Sequence, residues 1–124
     1  MTKLDKFDEL MKELSEQPCP VIVEGKNDKK ALEQFSVTNI ALVHTGTLQK
    51  LAETTTAKKV IIMTDYDRRG EILRKKLTEL FKNEGIAVDS DYRRKIRALT
   101  GMIHVEELPS KYEELRKREY EKNR

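Results

Sequence analysis

The sequence predicts an α/β fold, with a central, mostly parallel sheet of four to five strands flanked by helices on both faces. Three observations carry that reading. Two short apolar runs, Val21-Ile22-Val23 and Val60-Ile61-Ile62-Met63, have the length and the β-branched content of buried parallel strands. Segments with helical hydrophobic spacing lie between and around them, and such alternation is how a parallel sheet is built. The chain has 124 residues, enough for one ordinary domain with a core of its own.

The elements follow in order. Leu4, Phe7, Leu10, Met11 and Leu14 share one helical stripe, which predicts an amphipathic helix over residues 3–16, ended by Pro18 and Pro20. The first strand, 21–23, runs straight into Glu24-Gly25-Lys26-Asn27-Asp28. A helix follows through Phe35, with Asn27 or Asp28 as its N-cap. Ile40 to Val43 reads as a second strand leading to His44, and residues 48–53 as a short helix. The strand at 60–63 ends at Thr64-Asp65-Tyr66-Asp67. Residues 70–83 put Ile72, Leu73, Leu77, Leu80 and Phe81 on one stripe, and Gly85 is the stop. Residues 86–88 read as a fourth strand, 91–99 as a helix and 102–105 as a fifth short strand. A last helix opens at Ser110, and its highly charged end, 116–124, is expected to fray. The expected organisation is an N-terminal helix (1–19), a central unit (20–108) and a charged C-terminal helix (109–124) within one structural domain.

Charged residues make up 38% of the chain and hydrophobic ones 37%, a balance that suits long solvated helices. No run of about 18 apolar residues exists, and the N-terminus lacks a signal peptide's apolar centre. A cytoplasmic protein with no membrane partner is expected. The single cysteine, Cys19, excludes an intrachain disulfide and a zinc ribbon. Net charge is only +3, so its distribution says more than its size. Arg68 and Arg69, with Arg74, Lys75 and Lys76, form one basic cluster; Arg93, Arg94, Lys95 and Arg97 form another. Such clusters suit a phosphate backbone, and also a solvated helix face.

Ligands of open α/β sheets bind off the carboxyl ends of the strands. Here the two clearest strands end in acids, Glu24 on one and Asp65 with Asp67 on the other. Residues two apart on extended backbone point the same way, so parallel neighbours would gather three carboxylates in one crevice. Like charges about 4 Å apart repel by about 4 kcal/mol at an effective dielectric of 20, so such a site raises a carboxyl pKa or holds a cation. All-oxygen donors favour a hard ion, Mg²⁺ first, with Mn²⁺ possible. Either strand end alone is readily explained as a helix cap; the two together favour the cation. Asp28, Glu106 and His44 are further candidates for the crevice. Lys26 is a candidate phosphate contact. His104, in an apolar run, reads as structural, and Tyr66 should point away from the two Asp residues.

The run from Val21 to Asp28, followed by Val60 to Glu71, resembles the signature of the Toprim family. That family includes bacterial primases, type IA and type II topoisomerases, overcoming-lysogenization-defect nucleases and the ribonucleases that mature small ribosomal RNA. The resemblance covers roughly residues 20–107 and implies a Rossmann-like Toprim fold. It implies that Glu24 is a general acid or base, that Asp65 and Asp67 coordinate Mg²⁺, and that Gly25 and Gly70 let backbone pass close to the site. Glu-Gly-Lys-x-Asp and Thr-Asp-x-Asp-x-x-Gly-Glu are most similar to the ribosomal-RNA ribonucleases, and the second motif also to type IA topoisomerases. Many topoisomerases carry a third acid two residues past the Asp pair, where this chain has Arg69. The sequence has no room for a topoisomerase's tyrosine domain or a primase's zinc domain, so a stand-alone Toprim domain is expected. The implied function is Mg²⁺-dependent cleavage of RNA or DNA. The alternative is a non-catalytic nucleic-acid-binding or interaction module working with protein partners.

Overall fold

The computed structural model describes residues 1–43 and 46–122. In chain order the elements are α1 (Lys3–Ser15), β1 (Val21–Val23), α2 (Lys26–Glu33), β2 (Ile40–Leu42), α3 (Leu48–Thr54) and β3 (Lys59–Ile62). They continue with α4 (Arg68–Asn83), β4 (Ala87–Asp89), α5 (Asp91–Thr100), a 3₁₀ turn (Val105–Glu107) and α6 (Leu108–Lys122). The sheet has four strands in the order β2-β1-β3-β4, all parallel. Among the described residues no helix is long and apolar enough to cross a membrane.

Each face of the sheet is buried, and the strand period assigns the residues. Val21, Val23, Ile61 and Met63 join one core with Phe7, Met11 and Leu14 of α1, Ile96 of α5 and Leu108 and Leu115 of α6. Ile22, Val60 and Ile62 face the other way, onto Ala52 of α3 and Leu77 and Phe81 of α4. This two-sided burial explains why β1 and β3 read as unbroken apolar runs. The terminal helices belong to the first core: Phe7 meets the rings of Phe35 and Tyr112 at 5.3 and 5.7 Å.

Three expectations are corrected here. The fifth strand at 102–105 does not form. Met102 and Val105 are buried three residues apart, which is not a strand period, and the backbone groups of this segment are used elsewhere. The Ile103 carbonyl accepts from Tyr66 N (2.6 Å), and Val105 N donates to the Asp65 carboxylate (2.8 Å). The segment therefore crosses the carboxyl end of the sheet and turns. The second correction concerns α2, which starts two residues before Asp28. Gly25 is its N-cap, and Asp28, in the first turn, accepts from Gly25 N at 3.1 Å. The last helix also begins earlier than expected, at Leu108, and remains helical to Lys122.

Candidate metal centre

In the order 2-1-3-4, β1 and β3 are neighbours whose following helices leave in different directions, and the crevice opens between their carboxyl ends. The register Ile22↔Ile62 places Glu24, just past β1, beside the segment that follows β3. Glu24 Oε2 accepts from Asp65 N at 2.7 Å, joining residues 41 apart in sequence.

The Asp65 loop is held from behind. Buried Thr64 donates through its hydroxyl to the Gly70 carbonyl at 2.9 Å. A Cβ on Gly70 would lie 1.9 Å from the Asp65 carbonyl oxygen, so only glycine allows α4 to start this close to the loop. Arg93 closes the loop from α5. Its guanidinium donates to the Thr64 carbonyl (2.7 Å), the Asp65 carbonyl (2.5 Å) and Glu71 Oε1 (2.7 Å). Arg93 is only 2% exposed, which corrects its expected place in a surface phosphate-binding cluster. The reason is helical spacing: Arg93 and Ile96 form the buried stripe of α5. The ring of Tyr66 packs under the guanidinium groups of Arg93 and Arg97, at 3.8 and 4.6 Å.

Asp67 is the N-cap of α4, its Oδ1 accepting from Gly70 N at 2.7 Å. Its Oδ2 lies 3.3 Å from His104 Nε2. His104 Nδ1 lies 3.0 Å from Glu107 Oε1, and the same oxygen accepts from His104 N at 3.0 Å. His104 is thus a site residue, not a structural one in a strand. The signal that could have found it is the His-x-x-Glu spacing, which fits one turn at the N-cap and third position.

Asp65, Asp67 and His104 each offer one ligand atom, and those atoms lie within 4.8 Å of one another. Lys26, Asp28, Arg69 and Glu106 line an open cleft of about 590 Å³ together with Glu24 and Asp65. Arg68, Arg94 and Lys95 are exposed outside it, with Arg94 3.4 Å from Asp91. His44 lies outside the described residues. Burial pushes the Glu24 carboxyl above its ordinary pKa, and the charges of Asp65 and Asp67 push it further. Asp28 is raised in the same way, by burial first and then by Asp65. His104 is raised by its hydrogen bond to Glu107 and by the negative charge of Asp65 and Asp67. Two carboxylates and an imidazole converging beside two acids of raised pKa are a donor set that fits a divalent cation.

Comparison with known proteins agrees with this geometry. Residues 19–99 match the Toprim domain family. A UPF0292 protein of Methanosarcina acetivorans is 38% identical over 104 residues, 79% of this chain and 72% of that one. A UPF0292 protein of Archaeoglobus fulgidus is 37% identical over 113 residues, 90% of each chain. The solved structure of a protein from Aquifex aeolicus superposes with a TM-score of 0.73 at 32% identity, covering 84% of this chain and 96% of that one. With the strand-end glutamate, the Asp pair and the parallel sheet all in place, the chain belongs to the Toprim family, and small archaeal UPF0292 proteins are its relatives.

Proposed function

We propose that the protein is a cytoplasmic, Mg²⁺-dependent nuclease that cleaves phosphodiester bonds of RNA or DNA, with Mn²⁺ able to replace Mg²⁺. The observation that carries this reading is the meeting of Glu24 with the Asp65–Asp67 loop in one crevice, sealed by the hydrogen bond of Glu24 to Asp65 N at 2.7 Å. Asp65 and Asp67 are the residues that would hold the ion. Once bound, it supplies Lewis-acid charge at the scissile phosphate. Lys26 and Arg69, on the wall of the cleft, orient and neutralise phosphates; the arginine fork can engage two oxygens at once. Arg68, Arg94, Lys95 and Arg97 supply further positive charge along the strand's path. Glu24, beside the Asp pair and with its carboxyl held above the ordinary carboxylate range by burial, is placed to move a proton. It takes one from the attacking water or delivers one to the oxygen leaving phosphorus as the P–O bond breaks.

A second reading has a specific observation behind it. Arg69 lines the cleft where many topoisomerases place a third acid, and a basic residue there grips phosphate without adding a metal ligand. On this reading the cleft binds nucleic acid and does not cut it, and works with protein partners. The test is incubation with Mg²⁺ and end-labelled structured RNA, duplex DNA and single-stranded DNA. Cleavage of at least one substrate is expected, lost with chelator and reduced about 100-fold or more by Glu24→Gln. Tight binding of the substrates without cleavage would support the second reading. No binding at low salt would overturn both.

A further inference from the structure

We infer that His104 is a third ligand to the cation held by Asp65 and Asp67, that Glu107 fixes it in that role, and that the resulting nitrogen-containing donor set makes the centre favour a first-row transition ion over Mg²⁺. The inference rests on the metal-site reading above and deepens it: Mg²⁺ still fills the centre through the Asp pair, and a transition ion binds there more tightly.

The argument begins with the imidazole. Glu107 Oε1 lies 3.0 Å from His104 Nδ1 and also accepts the His104 backbone N–H at 3.0 Å. When an ion takes the lone pair of Nε2, a carboxylate placed so keeps the remaining proton on Nδ1, the arrangement in which metal-binding histidines are held by an outer carboxylate. Nε2 points into the acid pair, 3.3 Å from Asp67 Oδ2. The side chain of His104 is 44% exposed, so an ion can reach it from solvent. The turn carrying His104 is also tied to the other aspartate, since Val105 N donates to Asp65 Oδ1 at 2.8 Å. One short turn therefore presents the imidazole, orients it and fixes Asp65 beside it. Mg²⁺ is held through one or two carboxylates and waters and has little use for the nitrogen, whereas imidazole suits borderline ions.

The probe is the metal alone. Mn²⁺ is titrated into the full chain under electron paramagnetic resonance, with Mg²⁺ as competitor, in wild type, His104→Ala, Glu107→Gln and Asp67→Asn. Bound Mn²⁺ in wild type should show coupling to an imidazole nitrogen, and His104→Ala should abolish it. Mn²⁺ affinity should fall about 10- to 100-fold in His104→Ala and about tenfold in Glu107→Gln. Mg²⁺ affinity in His104→Ala should stay within about threefold of wild type. Asp67→Asn should weaken both ions. Bound Mn²⁺ without nitrogen coupling in wild type, a measurement that needs no variant, would overturn the inference and leave the Asp pair standing. Equal losses for both ions in His104→Ala would likewise overturn the selectivity. If wild type bound neither ion, the metal-site reading would fall, and this inference with it.

Discussion

A methyl group on Gly70 would collide with the Asp65 carbonyl, and backbone has no rotamer with which to move aside. Gly70→Ala should therefore displace the loop that carries both aspartates. The expected cost is about 1–3 kcal/mol, typical of overpacking, together with loss of divalent-cation affinity. Urea unfolding of the metal-free protein and a metal titration measure the two effects; a variant that kept both would show that the close approach is dispensable. Glu24 makes the opposite case. Its folded pKa lies above the ordinary 4.5, so the folded state holds the proton more tightly than the unfolded chain. Its contribution to stability is thus most favourable in acid and declines as pH rises through the folded value. Glu24→Gln retains an acceptor for Asp65 N and removes the charge. In metal-free buffer at neutral pH it should be more stable than wild type by less than about 1 kcal/mol, because solvent still reaches the group. The gain should vanish in acid, and thermal melts across that range would detect it. A destabilised Glu24→Gln would mean that the carboxylate itself is needed to build the loop.

Helix α4 connects the loop to the rest of the molecule through Glu71, one turn past its Asp67 cap. Glu71 meets Arg74 at 3.1 Å and buried Arg93 at 2.7 Å. Hydrogen bonds from Arg74 and, against some burial, from Arg93 hold its carboxyl below the ordinary 4.5. The stabilisation is then complete above that ordinary value and is lost as pH falls through the lower, folded one. Glu71→Gln should cost about 1 kcal/mol or less at neutral pH, since the carboxylate is partly exposed. Melts at decreasing pH should show the gap to wild type closing; a gap that widened in acid would refute this. The same neighbourhood shows what could be read from sequence. Strands β1 and β3 were legible because burial on both faces leaves an unbroken apolar run, and their acidic ends followed directly. Arg93 was not, because its basic neighbours masked its i, i+3 relation to Ile96, and its acceptors, the Glu71 carboxylate and two backbone carbonyls, lie 22, 28 and 29 residues away. The run at 102–105 has the composition of a strand, but a strand needs a ladder partner, and that is a fact of tertiary structure. His104 is hidden for the same reason, since a histidine in a strand has no reason to meet Asp67.

The crevice draws its parts from β1, β3, the starts of α2 and α4, and the turn before α6, while both cores lie beneath it. Its acids crowd together at the strand ends, and two of them, Glu24 and Asp28, have raised pKa values. The metal-free protein therefore carries a local electrostatic cost that the packing around Phe7, Phe81 and the central strands must outweigh. A cation that neutralises the crevice should thus stabilise the whole domain, since it binds a geometry that only the folded chain has. At a free concentration 100 times its dissociation constant, an ion that binds only the folded state adds about 2.7 kcal/mol. For a domain of this size that is a rise in Tm on the order of 10 °C. Thermal melts with Mn²⁺ or Mg²⁺ against chelator should show the rise in wild type. The double variant Asp65→Asn, Asp67→Asn should lose it, while its metal-free Tm is no lower than that of wild type, since asparagine at position 67 can still cap α4 and two crowded charges are gone. A shift of equal size in both proteins would place the binding elsewhere on this charged surface and remove the crevice as the metal centre.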